Sequence, residues 1–379
     1  MRCCFFSPGY KSLEVLSGDT RSTGGAEAQI AYLAATLVHL GHDTSLIYGE
    51  GQGRAEQQKV ADVTCINAAP LWRRPSSVMR FWQVLDSLSP DLLYARLPSD
   101  FLWMMGLFAK YRQHTKFLYA IADDRHCNPW QVYRDVPNTW FHGAAYALGL
   151  RSADVIAIQH GGQLSLVSEH LQKRLVHVPN LVRSFHEAPR VYEKTIYDGI
   201  WIATMRPEKQ VEEFLALAQA NPDLRFAIVG GFFSDLSVEY NRALEGRIRS
   251  LGNIEYLGPR RAPEVLDLLS QSKVLVNTSL AEGFPNTMLE AWSVGVPVVS
   301  LSVDPGGVIH REKIGLVSGT SVDLQRDVRL LACTEELNRK LGDCGLNYVR
   351  RQHSLDAVLK AFACVLSGSE FTSPASDMP

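Results

Sequence analysis

The 379-residue sequence contains no apolar run approaching the ~18 residues that a membrane-spanning helix needs. Its seven cysteines form no C-x-x-C pair, and no His/Cys set has the spacing of a metal site. An odd, scattered set of thiols reads as reduced and cytosolic, not as a disulfide framework. Charge of one sign is not in excess: the formal net charge is −2, which leaves no electrostatic footprint for nucleic acid. The amino-terminal half is only slightly the more basic, which adds little to docking on an anionic membrane. No secretory leader pattern opens the chain, which enters a strand and a Gly-rich loop almost at once. No internal sequence repeat is visible.

What is present is alternation of strand and helix. Hydrophobic residues are 46% and charged residues 21%, the balance of an ordinary globular protein. The length allows two domains, each with its own core. Residues 2–7 read as an apolar strand. A polar loop over 8–23 leads to Gly24-Gly25-Ala26-Glu27. Ile30, Leu33, Ala34, Leu37 and Val38 then recur at helical spacing, so 28–40 reads as a helix and 44–48 as the next strand. Backbone N–H groups at a Gly-Gly helix entrance can face a phosphate or a hydroxyl, although a plain helix start has the same look. Strands are expected at 63–66, 91–94, 116–121, 155–158 and 175–178, and helices at 71–88, 101–111 and 138–152. The helix at 71–88 interleaves Trp72, Phe81 and Trp82 with Arg73, Arg74 and Arg80. That mixture suits an anionic membrane surface or, more commonly, a half-buried helix with solvated arginines. Arg96 follows one strand end, and Asp123, Asp124 and His126 follow another, where ligands of α/β sheets gather. Asp123-Asp124 lacks D-x-D spacing, and no metal is expected there.

A second strand–helix series opens at 199–203. The loop Thr204-Met205-Arg206-Pro207-Glu208-Lys209 leads into a helix ending at Ala220, and a strand at 226–229 ends in Gly230-Gly231. Most information lies in 276–307. An apolar strand at 274–276 runs into the turn Gly283-Phe284-Pro285-Asn286, then a helix over 287–294 closed by Gly295, then a strand over 297–301. Glu282 and Glu290 bracket the turn and the helix start. Such a turn exposes N–H groups backed by the positive end of a helix dipole, which suits phosphate. Carboxylates at its edge accept hydrogen bonds from ribose or hexose hydroxyls. One loop could therefore hold a diphosphate with a sugar at either end. An ordinary α/β crossover with solvated acids has the same residue types.

The run Glu282 to Glu290, E-G-F-P-N-x-x-L-E, resembles the E-x7-E signature of the GT4 family of retaining glycosyltransferases, which have the GT-B fold. The flanking N-T-S and G-V-P-V-V-S, the G-G-A-E at Gly24 and the V-P-N at 178–180 are similar to that family too. The resemblance implies an α/β GT-B architecture, two doubly wound Rossmann-like domains facing across a cleft. These cover 1–182, for the acceptor, and 183–352, for the nucleotide sugar. A helix over 353–366 is expected to pack back on the first domain, and 367–379 to form a disordered tail. The implied activity is metal-independent hexosyl transfer from a UDP- or GDP-sugar to a saccharide or lipid-linked acceptor in bacterial polysaccharide or glycoconjugate synthesis. The implied place is the cytoplasm, with peripheral contact to the inner face of the cell membrane. By the family pattern Glu282 lies near the transferred sugar and Glu290 holds the ribose. Gly283, Phe284, Pro285, Asn286 and Thr287 offer backbone donors, and Gly24, Gly25 and Gly230 approach the donor or acceptor. Lys209 fits the family's diphosphate lysine. Thr204 stands where an Arg is usual, and Arg206 is expected to take over. Asp123 stands where many members carry a His against the donor sugar, which makes it the amino-terminal catalytic candidate; Arg96 joins it on the acceptor side. Two other readings keep the same residues: an epimerase or phosphorylase, and a non-catalytic sugar-nucleotide-binding subunit. Nothing in the sequence sets an oligomeric state.

Overall fold

The computed structural model describes residues 1–21, 24–49, 56–71, 74–134, 137–183 and 192–367. The chain divides into two compact units. The first comprises Met1–Asp19, Thr23–Leu181 and Asp356–Pro379; the second comprises Thr20–Ser22 and Val182–Leu355.

Among the described residues the first unit is built on eight strands: β1 (Arg2–Ser7), β2 (Asp43–Tyr48), β3 (Gln57–Val60), β4 (Val63–Asn67), β5 (Leu92–Ala95), β6 (Lys116–Ala120), β7 (Val155–Ile158) and β8 (Leu175–His177). Their order is β3-β4-β2-β1-β5-β6-β7-β8. A strand covered on both faces reads as continuously apolar, which is why β1 carries no alternation. Cys4 and Phe6 enter one core layer, with Ile47, Leu93 and Phe117. Cys3 and Phe5 enter the other, with Leu46, Tyr94 and Leu118. The helix Leu355–Ser367 belongs to this second layer through Val358, Ala361, Phe362 and Val365, and the Phe362 ring lies 6.0 Å from that of Tyr94.

Two local expectations need correction. The loop expected over 8–23 contains a helix, Lys11–Leu16, because Ser12, Leu13 and Val15 bury one face. The helix expected from 71 begins at Pro75: Pro suits the first helical position, and Arg74 before it is held out of the helical region, at φ −138° and ψ 85°, as pre-proline residues tend to be. Trp72 and Arg73 lie outside the described residues, as does the tail 368–379. Within that helix Phe81 is fully buried and Trp82 stacks edge-on against Phe108 at 5.3 Å, while Arg80 pairs with Glu56 at the surface. The helix is thus half-buried, with Arg80 at the surface. Strand β3 runs antiparallel to β4, through a tight turn in which Ala61 and Asp62 both have positive φ.

Among the described residues the second unit holds six parallel strands: β9 (Tyr197–Ile202), β10 (Phe226–Val229), β11 (Ile254–Gly258), β12 (Ser272–Asn277), β13 (Val298–Ser300) and β14 (Gly315–Val317). Their order is β11-β10-β9-β12-β13-β14. The helix Asn286–Ser293 is held close under the long helix Glu335–Gln352. A Cβ on Gly342 would fall 2.1 Å from the Gly295 carbonyl oxygen, and one on Gly345 would fall 2.5 Å from Trp292. Two glycines thus fix where the helix carrying Glu290 lies.

Candidate active site

In the second sheet β9 and β12 are neighbours, yet the chain leaves them in opposite lateral directions. Such a reversal opens a crevice at the strands' carboxyl ends. The loops following β9 and β12 both emerge there, and they carry Arg206, Lys209 and Glu282.

The loop after β9 is held by its neighbours. Met205 N donates to Gly231 O at 2.9 Å, bridging to the loop after β10. Leu280 N donates to Glu208 O at 2.9 Å. Thr278 Oγ1 donates to Lys209 O at 2.6 Å and accepts from Trp201 Nε1 at 2.9 Å. The loops after β9 and β12 are thereby tied before any side-chain charge is counted. Between them Lys209 Nζ and Glu282 Oε1 form an ion pair, both side chains largely sheltered from water. Arg206 lies over the Phe233 ring at 4.6 Å and 3.9 Å from Glu208. Its side chain keeps 41% exposure, so its charge remains available to a ligand.

The loop after β12 is anchored by Phe284, 6% exposed, whose ring packs 5.0 Å from His353 and 6.3 Å from Trp292. Pro285 precedes the helix Asn286–Ser293, and no side chain caps its start. Met288 N and Leu289 N donate to Pro285 O at 3.2 and 3.4 Å, and the start of the helix carries the positive end of its dipole. One turn on, Glu290 is half-buried, and burial pushes its carboxyl up to about 7.

Gly24, Gly25, Asp123 and Arg96 belong to the first unit. Gly24 is the extended residue before the helix Gly25–His39. Asp123 caps the turn Asp124–Cys127 through Arg125 N at 2.9 Å and grips the Arg125 guanidinium at 2.8 and 2.9 Å. Burial raises its pKa, but these bonds outweigh burial and hold the carboxyl below the usual range. Sequence reasoning placed Asp124 and His126 beside it but missed His160 and Gln163, which meet Asp124. Asp124 accepts from Gln163 Nε2 at 3.0 Å and meets His160 Nε2 at 3.1 Å. Burial pushes His126 down to about 4. The available signal was position: each of these residues lies just beyond a strand's carboxyl end. Among the described residues no three His, Cys, Asp or Glu side chains converge as a metal site, and no helix is long and apolar enough to cross a membrane.

Two family models match the chain. "Glycosyl transferase 4-like domain" covers residues 24–181 and "Glycosyl transferases group 1" covers 199–332. Together they take in well over half of the sequence. A glycosyltransferase 1 domain-containing protein from Xenopus tropicalis is 25% identical over 38% of this chain and 41% of its own length. The gpi3 subunit of the Schizosaccharomyces pombe phosphatidylinositol N-acetylglucosaminyltransferase is 22% identical over 75% of this chain and 64% of its own. The chain thus spans less than two thirds of these curated relatives. Among solved structures, sucrose-phosphate synthase from Thermosynechococcus elongatus superposes with a TM-score of 0.76 at 16% identity, covering 97% of this chain and 98% of that one. HepE of Anabaena, solved with UDP, superposes at 0.70 and 16% identity, covering 97% and 100%. With both domain models matched in order and two Rossmann-like parallel-stranded sheets beneath them, the chain belongs to the group 1 glycosyltransferases and has their α/β GT-B fold.

Proposed function

We propose that the protein is a retaining, metal-independent hexosyltransferase of the GT4 family that uses a nucleotide-diphosphate sugar, with UDP the favoured nucleotide. The observation that carries this reading is the Lys209–Glu282 pair at the reversal of the second sheet, in the loop that leads to the helix carrying Glu290. The solved complexes of HepE with UDP and with UDP-glucose support the choice of nucleotide. Lys209 and Arg206 neutralise the departing diphosphate, a task that fixed cations perform without reorganisation. The backbone of Gly283, Phe284, Asn286 and Thr287 faces the phosphates and the sugar, with Pro285 setting the turn and Gly230 allowing close approach. Glu282 orients sugar hydroxyls and favours positive charge at the anomeric carbon. The acceptor oxygen bonds to that carbon on the face from which the diphosphate leaves, the carbon–diphosphate bond breaks, and a diphosphate oxygen takes the acceptor's proton. Gly24, Gly25, Asp123 and Arg96 of the first unit serve the acceptor side. The acceptor is a saccharide or a glycolipid, and the setting is bacterial polysaccharide or glycoconjugate synthesis at the cytoplasmic membrane face. Proton NMR of the product tests the stereochemistry. The anomeric coupling should match the donor's; an inverted product would contradict the mechanism, and nucleotide release without any acceptor would favour an epimerase.

Glu290 yields a pH prediction. Its carboxyl is at about 7 in the folded chain against an ordinary 4.5, so folding favours the protonated form. The resulting cost to stability is absent below about 4.5, grows as pH rises, and is complete above about 7. Glu290→Gln removes that cost, and at pH 8 the variant should be more stable than wild type by on the order of 2 kcal/mol, with a correspondingly higher melting temperature. Ribose hydroxyls need the ionised form as acceptor. Wild-type nucleotide affinity should therefore rise about tenfold from pH 6 to pH 8, relative to the variant. Measuring against Glu290→Gln cancels the titration of the nucleotide's own phosphate. Parallel pH profiles in calorimetry would remove Glu290 from the ribose site.

A further inference from the structure

At the carboxyl edge of the first sheet four adjacent parallel strands end together. Arg96 follows β5, Asp124 and His126 follow β6, Gln159 and His160 follow β7, and Asn180 follows β8. Arg96 also sits at this sheet's own reversal, because the chain passes from β1 towards β2 on one side and from β5 towards β6 on the other.

Arg96 is 5% exposed. Its Nη2 donates to Asn180 Oδ1 at 2.7 Å and its Nη1 to the Tyr94 hydroxyl at 3.4 Å, while its Nε is buried without a partner. Among the described residues no carboxylate pairs with it. A guanidinium this deeply buried is ordinarily matched by an opposite charge, since desolvating it alone is costly. Asn180 cannot supply that charge: its neutral oxygen is already shared with Gln159 Nε2 at 3.0 Å. Its place is set by Gln29, which clamps the adjoining Leu181 backbone with bonds of 3.0 and 2.8 Å. The acids of the neighbouring loop are committed elsewhere, Asp123 to Arg125 and Asp124 to His160 and Gln163. Two further buried nitrogens, Nδ1 of His160 and Nδ1 of His126, have no partner either, and His160 is 7% exposed. With the His160 Nε2–H directed at Asp124, its Nδ1 is an acceptor suited to a hydroxyl.

We propose that Arg96 receives an anionic group, a phosphate or a carboxylate, on the acceptor saccharide, with His160 accepting from a hydroxyl beside it. The protein then glycosylates charged sugars in preference to neutral ones. This inference rests on the transferase reading above. It is separable from it because the nucleotide is assigned to the second unit.

The test is a binding and turnover panel of inorganic phosphate, glucose 6-phosphate, glucuronate and glucose. Phosphate and at least one charged sugar should raise the melting temperature of the wild type, with glucose inert at equal concentration. The stronger of the two charged sugars distinguishes phosphate from carboxylate. Arg96→Gln should lose roughly tenfold or more in affinity for these anions, the scale of a charge-assisted bond. Arg96→Lys should keep part of it. Asn180→Asp places a carboxylate against the guanidinium with Arg96 still present, and should lose anion binding as well. UDP affinity should be unchanged in all three variants, so a protein that fails to bind UDP marks failure of the transferase reading instead. Anion binding by Arg96→Gln and Asn180→Asp equal to wild type, or glucose binding as well as its charged forms, would overturn the proposal.

Discussion

Glu282→Ala should lower the transfer rate by ~100-fold or more, the scale of losing a group placed against developing charge. The protein should remain folded. The loop carrying Glu282 is held by the Thr278 bond to Lys209 O, the Leu280 bond to Glu208 O and the packing of Phe284 on Trp292 and His353, none of which uses the Glu282 carboxylate. Lys209 loses its partner, but both side chains keep some contact with water. The stability cost should therefore be about 1 to 2 kcal/mol, below that of a fully buried pair. Circular dichroism melting and initial-rate assays separate the two effects. Glu282→Gln keeps the volume and removes the charge, and should lose most of the same activity. Near wild-type turnover in Glu282→Ala would take the residue out of the mechanism.

Gly230→Ala should be the more damaging change to structure. Gly230 has φ of +138°, and a Cβ there would lie 1.8 Å from the Ala203 carbonyl oxygen. The obstacle is backbone, so no side-chain rotation relieves it. The loop that must move is the one carrying Arg206 and Lys209, since Met205 N bonds to Gly231 O and Arg206 rests on Phe233. We expect a loss of about 3 kcal/mol or more, from strain and overpacking together. Nucleotide affinity should fall with it. Gly231 is the internal control. Its added Cβ meets nothing within 4 Å and its φ is ordinary. Gly231→Ala should stay within about 0.5 kcal/mol of wild type. Equal melting temperatures for the two variants would show that the approach of the β9 and β10 loops is not the constraint it is taken to be.

The candidate site of the second unit was legible in the sequence because its two acids are close along the chain. The acids Glu282 and Glu290 lie eight residues apart on one strand–loop–helix, and Lys209 was placed by its resemblance to the family's diphosphate-lysine loop. What the sequence withheld there was the tie between loops. Thr278 reads as one more polar residue, and only the pairing of β9 with β12 brings it to Lys209 O. The first unit was legible as a fold and poorly legible as a site. Arg96, Asp124, His160 and Asn180 come from four separate strand ends, and no spacing along the chain joins them. Asp123 drew notice by position, yet its carboxylate is spent on Arg125, while the adjacent Asp124 meets His160. The helix Lys11–Leu16 escaped because six residues carry too little periodicity to separate a helix from a polar loop.

The central claim is that the second unit binds a nucleoside diphosphate through fixed cations and a helix start. A thermal-shift screen of UDP, GDP, ADP and dTDP, each with and without EDTA, tests it most directly. A ligand at 100 times its dissociation constant stabilises the folded state by about 2.7 kcal/mol. We expect UDP to give a shift of several degrees that EDTA does not alter and that Lys209→Ala abolishes. A shift that vanishes with EDTA would contradict the metal-free assignment, and no shift from any of the four nucleotides would contradict the donor site itself.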